Sequence, residues 1–437
     1  MISGATTSGG RPPSLAITLL RSAVPICLAM IAGMIGSLLV TSVLGQHDTV
    51  TLAAYAVVTA VLTPASSAVT GALRGLGPFV APFRDDPASA VPVIRDARWL
   101  SLSVGTMGAL AVLCVPLLAT ATGVPGQVVA EMGLLPWFLA GYVLLFASTG
   151  GAGTILVALG RSRNMLWPTL GFGLVQGGLT ALLVPSMGLT GAGIAWLTGG
   201  VVSALVGALN VRLAVGRPIG QSRPRPREIA KLARVSIPLA ATVLIKFAVL
   251  GAVTFAAGTT SPRDTAAHAV LTTLTSLIMM MSLAIAQAAV PEIARATDTA
   301  GARRAGRVAA LLAVSGTLVM AALLLVAGGP LTALFTDDPA VRDRVLGLLP
   351  LMLLSAALDA AQAVRGFGLT ALKRSSSSLG SFAVAYGLLL LSVVPVARTW
   401  GITGLWTAMT AANALLVMLQ GLGFHRHSAR VGAAVTV

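Results

Sequence analysis

Long apolar stretches that are free or nearly free of Asp, Glu, Lys and Arg recur along almost the whole 437-residue chain. A helix crossing a hydrocarbon layer about 30 Å thick needs about 20 such residues at about 1.5 Å per residue. The first series runs Ser22–Gln46, Thr49–Leu73, Leu100–Ala130 and Met132–Gly160, then a double-length stretch from Asn164 to Val211 that Pro185 and Gly188 divide. A second series runs Val235–Pro262, Thr265–Pro291, Val308–Thr336 and Val345–Leu372, then a double-length stretch Ser375–His425 divided near Pro395–Gly401. Twelve membrane-spanning helices are therefore expected. Only 10% of residues are charged, against about 25% in soluble domains, and this excludes a set of soluble globular cores. The predicted class is an all-α integral membrane protein.

The charges that exist orient the spans. The net charge is +16, which would suit an acidic partner if it were gathered on one surface. With the amino terminus in the cytoplasm, 23 of the 29 basic residues fall in tails and loops on that side, including the cluster from Arg212 to Arg234. Only Arg263, Arg342, Arg344 and Arg398 fall opposite. This bias follows the positive-inside rule, so both termini are expected in the cytoplasm of a bacterial plasma membrane, with no nucleic-acid partner. Cys27, Cys114 and the four histidines lie apart, without the spacing of a metal site.

One offset, 213 or 214 residues, aligns the two series. Pro25 meets Pro238, Pro78 meets Pro291, Gly133-Leu134-Leu135-Pro136 meets Gly347-Leu348-Leu349-Pro350, and Gly188 meets Gly401. Repeated Pro and Gly coincidences are not expected by chance. Two parallel six-helix repeats follow: residues 15–213 and 229–425, with a cytoplasmic tail at 1–14, a basic linker at 214–228 and a tail at 426–437. Parallel repeats facing each other are a plan of secondary transporters.

Of the acidic residues only Asp359 lies deep in a span. A carboxylate there costs at least about 2.5 kcal/mol and marks a functional site by default. Lys246 lies 15 residues from Lys231 and Asp359 lies 14 from Lys373, so both sit about 21 to 23 Å from the cytoplasmic helix ends. A salt bridge that only fixes packing is the plainer reading, and an ion-coupling pair the favoured one. Gln362 shares a helix face with Asp359. Gln287, Gln176 and Asn413 suit interhelical hydrogen bonds as well as substrate contact, Met280 in Met279-Met280-Met281 could line a lipophilic site, and Arg365 can snorkel to the interface. Gly71 with Gly75, and Gly173 with Gly177, have the spacing of close helix approach. Asp85-Asp86 and Asp337-Asp338 do not continue as metal-binding motifs, and no phosphate-binding Gly-x-x-x-x-Gly-Lys sequence occurs.

Over residues 15 to 425 the chain resembles the multidrug and toxic-compound extrusion (MATE) family. The resemblance rests on the duplicated six-span plan, Leu44-Gly45 followed by Leu52-Ala53-Ala54, Leu334-Phe335-Thr336-Asp337-Asp338, and Asp359-Ala360-Ala361-Gln362 before Arg365-Gly366. It implies a V-shaped pair of bundles exporting lipophilic, often cationic compounds in exchange for protons or sodium. Two acids frequent in the family are replaced: Ser37 stands in helix one and Lys246 in helix seven. A neighbouring ammonium disfavours sodium, so the expectation is a proton-coupled antiporter working by alternating access through Asp359, with Lys246 in place of a bound cation. The expected protein is a monomer in contact with membrane lipid, with a small lipophilic substrate and no cofactor or metal. With the usual acids gone, a neutral or anionic substrate is as plausible as a cation. A flippase for a lipid-linked precursor is the alternative within transport. Outside it stand an intramembrane enzyme, which would have no deep catalytic set apart from Asp359 and Lys246, and a transport-inactive membrane binding protein.

Overall fold

The computed structural model of the chain describes residues 14–220, 223–333 and 338–432. The sequence segments 1–13, 221–222, 334–337 and 433–437 lie outside them, and with these most of the Leu334–Asp338 motif and parts of both tails and the linker. The spans of the first half are α1 (Leu15–His47), α2 (Thr49–Arg74), α3 (Val91–Leu113), α4 (Leu135–Ser148), α5 (166–187) and α6 (189–215). Those of the second are α7 (Pro226–Gly258), α8 (Pro262–Ala294), α9 (Thr299–Ala333), α10 (Pro339–Ala371), α11 (375–400) and α12 (402–428). The described residues thus carry twelve spans and no strand.

Single glycines make the two tightest reversals. Gly188 (φ 53°, ψ −132°) separates α5 from α6, and Gly401 (φ 56°, ψ −147°), 213 positions later, separates α11 from α12. This backbone region is essentially closed to residues with a Cβ. Beyond each turn the helices run back on themselves. A Cβ at Gly191 would stand 2.8 Å from the Leu183 carbonyl, and one at Gly404 2.8 Å from Val396 Cγ1.

Two apolar stretches are less regular than their sequence suggests. The third span begins at Val91, carrying Arg95, Asp96 and Arg98, and bends by 41° into Val115–Ala121, where Pro116 cannot continue the hydrogen-bond ladder. A separate short helix, Gly126–Glu131, follows. The fourth breaks at Gly150 (φ 64°) and Gly151 (φ 77°) before resuming at Ala152–Ala158. A Cβ on Gly150 would stand 2.8 Å from Arg98 Cγ, so close packing on α3 and a left-handed backbone coincide there. The matching part of α10, Ala363-Val364, is unbroken helix.

The halves join at one end only. One core joins Leu19, Ala23 and Ile26 of α1 to Ala284–Ile293 of α8, Ala302–Ala313 of α9 and Ala360–Ala371 of α10. At the same end α2 lies against α7, where a Cβ on Gly71 would be 2.9 Å from Val243 Cγ2 and one on Gly75 2.6 Å from Ser236 Oγ. Ion pairs cross there too: Arg84 Nη1 to Glu292 Oε1 at 2.7 Å and Arg295 Nη2 to Asp85 Oδ2 at 2.8 Å. The linker is tied down, with Arg225 Nε donating to Asp96 Oδ1 at 3.1 Å and Arg98 Nη1 to the Ile219 carbonyl at 3.1 Å. At the opposite end the polar contacts among the described residues stay within one half: Thr51 with Glu131 at 3.1 Å and Arg344 with Asp264 at 2.8 Å. The result is a V that opens toward the end bearing Asp48 and Ser261. Gly173 and Gly177 face α1: a Cβ on Gly36 would lie 3.9 Å from the Gly173 Cα and one on Gly177 3.4 Å from Leu39, while a Cβ on Gly173 itself would meet nothing within 4 Å.

Candidate functional site

Lys246 and Asp359 are in contact. Lys246 Nζ stands 3.0 Å from both carboxylate oxygens, bringing α7 against α10. The Asp359 side chain is 6% exposed and that of Lys246 22%, so the carboxylate is sealed in protein while the ammonium stem reaches open space. Gln362, one turn along α10, donates Nε2 to Asp359 Oδ1 at 3.0 Å, and its own Oε1 is buried with no partner among the described residues.

A polar chain continues away from the pair on the same face of α10. Asn413 Nδ2 of α12 donates to Ser355 Oγ at 3.1 Å, and Tyr386 OH of α11 donates to Asn413 Oδ1 at 3.3 Å. Four helices therefore contribute to two polar clusters, one turn apart on α10. Asn413 makes the interhelical bonds expected of it. Ser355 and Tyr386 carried no signal in the sequence, since each is one polar residue in an apolar stretch. Gln176 is 1% exposed, and neither of its amide atoms has a partner among the described residues, contrary to the interhelical bond expected for it.

Gln287 belongs elsewhere. It hydrogen-bonds the Leu283 carbonyl of its own helix at 3.3 Å and lines a cavity of about 160 Å³ between the halves, near the closed end. Thr70, Arg74, Phe146, Thr154 and Phe367 share the lining, and the Arg74 guanidinium lies over the Phe367 ring at 5.9 Å from its centroid. Behind it stand packed aromatics, with Tyr142 edge-on to Trp196 at 4.9 Å and tilted against Phe172 at 5.3 Å. Asp359 lies eight residues before Phe367, so the ion pair and the cavity are about 12 Å apart along α10. Met280 is half-buried on α8 and is not among the residues lining this cavity; its neighbour Met281 packs on Gly316 of α9. Arg365 is half-buried with its Nε unpartnered, so that nitrogen does not reach water as a snorkelling side chain would. Just past α10, Lys373 lies over the Phe79 ring at 4.5 Å, and burial pushes its ammonium below the usual lysine range.

The MatE family model matches residues 238–396, which include both members of the ion pair. A probable multidrug resistance protein NorM of Aromatoleum aromaticum is 28% identical over 444 residues, spanning 93% of each chain. A multidrug resistance protein NorM of Burkholderia vietnamiensis is 26% identical over 99% of each. By these matches the chain is similar to proteins of the MATE family along nearly its whole length. In fold, the chain superposes on the MATE transporter VcmN of Vibrio cholerae in its bent form with a TM-score of 0.83, at 17% identity over 96% of this chain and 98% of that one. These relatives bear the names of multidrug resistance proteins, and the long apolar helices make this chain a multi-pass membrane protein.

Proposed function

We propose that this transporter exports lipophilic small molecules across the plasma membrane by alternating access, driven by proton entry at Asp359. The two halves, 15–213 and 229–425, would rock about the linker 214–228, with both termini in the cytoplasm. The observation that carries the reading is the Lys246–Asp359–Gln362 contact. With Asp359 ionised the pair is neutral and the two helices are held together. Protonation removes the counter-charge, and the partly exposed Lys246 ammonium then gains more from the water of the open cleft than from the helix contact. Gln362 suits both states: its amide N–H meets the carboxylate, and its unpartnered Oε1, once the amide turns, can accept from the carboxylic acid.

Sodium is a poor fit, since Lys246 Nζ already occupies both carboxylate oxygens and a hard cation needs several oxygen ligands. The same reading has the protein act as a monomer in lipid with no cofactor. The multidrug resistance names of the relatives support export of lipophilic compounds. The orientation has the basic loops on the closed, cytoplasmic side, and the V then faces outward.

The test is flux in proteoliposomes of purified protein, using ethidium, a neutral coumarin and 2-naphthoate as probes. A pH gradient is expected to drive flux of at least one probe in the wild type and none in Asp359→Asn, with a sodium gradient ineffective in both. Flux at the wild-type rate in Asp359→Asn under a pH gradient would refute proton coupling at this residue. Lys246→Glu should bring in sodium dependence; unchanged coupling in that variant counts against Lys246 as the stand-in cation.

A further inference from the structure

The cavity between the halves carries a cation that the protein leaves unmatched. Arg74 closes α2 and faces this space. Among the described residues no carboxylate, carbonyl or hydroxyl accepts a hydrogen bond from it, and its recorded contact is the ring of Phe367. Neighbouring arginines are treated differently. Arg84 has Glu292, Arg295 has Asp85 and Arg225 has Asp96, so the nearby acids are already engaged. No Asp or Glu is among the residues lining the cavity.

A half-buried guanidinium is costly without an anion, and its five donors in a planar fork match a carboxylate, sulfonate or phosphate. Further donors face the same space. Thr154 and Ser203 line it, and among the described residues neither hydroxyl has a hydrogen-bond partner. The remaining wall is apolar and aromatic, with Phe146, Met165, Val157 and Phe367. A basic fork at one point of an otherwise apolar chamber selects a molecule with an acidic head and a lipophilic body.

We infer that this cavity is the binding site for an amphipathic organic anion, its acidic group on Arg74 and its apolar body against Phe146, Met165 and Phe367. The inference deepens the transport reading by naming the substrate class, and rests on it only for what happens after binding. Because Arg74 belongs to the first half and Phe367 to the second, an anion that draws the guanidinium off the ring loosens a contact between the halves. Phe367 and Asp359 share α10, which gives the cavity and the ion pair a common rigid element.

The test measures equilibrium binding to the full-length protein in phosphatidylcholine nanodiscs. The probes are 2-naphthoate, 2-naphthamide and 2-naphthylmethylammonium, which share one ring system and differ in charge. Naphthoate is expected to bind saturably and more tightly than either other probe by about tenfold to a hundredfold, the worth of a charge-assisted hydrogen-bonded contact. Arg74→Gln should remove that preference, while Arg74→Lys, which keeps the charge and loses the fork, should retain part of it. Binding is read at equilibrium with no pH gradient, so that failure of proton coupling and failure of the anion site give different results. Adding dioleoyl phosphatidic acid distinguishes the sources of the anion. Displacement of naphthoate assigns the site to an acidic lipid head, and no displacement assigns it to a soluble organic acid. Equal affinity for all three probes, no naphthoate binding, or a naphthoate preference that survives Arg74→Gln would overturn the inference.

Discussion

Removing one member of the Lys246–Asp359 pair should cost more than removing both. With Nζ 3.0 Å from each oxygen, an effective dielectric of about 20 gives a gross attraction of about 5 to 6 kcal/mol. Most of this offsets desolvation, so the net worth of the pair is small, whereas one charge left alone costs about 3 to 5 kcal/mol. The exposures make the two single variants unequal. Asp359→Asn leaves Lys246, 22% exposed, able to turn toward the cleft, and its cost should fall at about 2 kcal/mol, below that range. Lys246→Met leaves a carboxylate only 6% exposed that cannot turn toward the cleft, and its cost should fall within that range, at about 4 kcal/mol. The double variant Asp359→Asn/Lys246→Met buries no charge and should lie within about 1 to 2 kcal/mol of the wild type. Unfolding free energies of the four proteins in nanodiscs, followed by tryptophan fluorescence at pH 7.5, form the cycle. Additive single effects, or a Lys246→Met cost no larger than that of Asp359→Asn, would refute the reasoning.

Other outcomes follow from local geometry. Gly75→Ala places a Cβ 2.8 Å from Ser236 Cα and should destabilise the α2–α7 seam by about 1 to 3 kcal/mol. Gly173→Ala meets nothing within 4 Å and should be neutral or slightly stabilising by helix propensity; thermal melts of the two variants check the contrast. Between α1 and α2, the Thr51 N–H and hydroxyl donate to the Asp48 carboxylate at 2.9 and 3.2 Å, which holds its carboxyl below the usual range. Stability from this cap is therefore present above the unfolded carboxyl value and lost as pH falls through the folded one. Asp48→Ala should melt earlier than wild type at pH 7, and the difference should close below about pH 4.

The sequence reveals most about features that are local along the chain. The hairpins at Gly188 and Gly401 were legible because each break needs one residue type at one place, and the repeat shows it twice. The depth of Asp359 and Lys246 was legible because helix rise is constant. The break after α4 was not, because Gly150 is required by Arg98 of another helix, and the repeat pointed to the unbroken α10 as its counterpart. Arg74 was hidden for a different reason. At the end of an apolar stretch it looks like one more orienting charge, and only the approach of α10 shows that it faces a cavity and not solvent. Ser355 and Tyr386 join the Asn413 network through contacts between helices that no spacing along one helix encodes.

The duplication copied the scaffold and not the ion pair: where the second half has Lys246 and Asp359, the first has Gly33 and Phe146 at the same offset. One carboxylate carries one proton, so the proposed cycle has a fixed gearing of one proton per turnover. For a neutral cargo each 100 mV of driving force then supports about 2.3 kcal/mol, an accumulation of about 50-fold. If the cargo is an anion, the proton moving in and the anion moving out both run with an inside-negative potential, and the same single carboxylate yields two charges of electrical work per cycle.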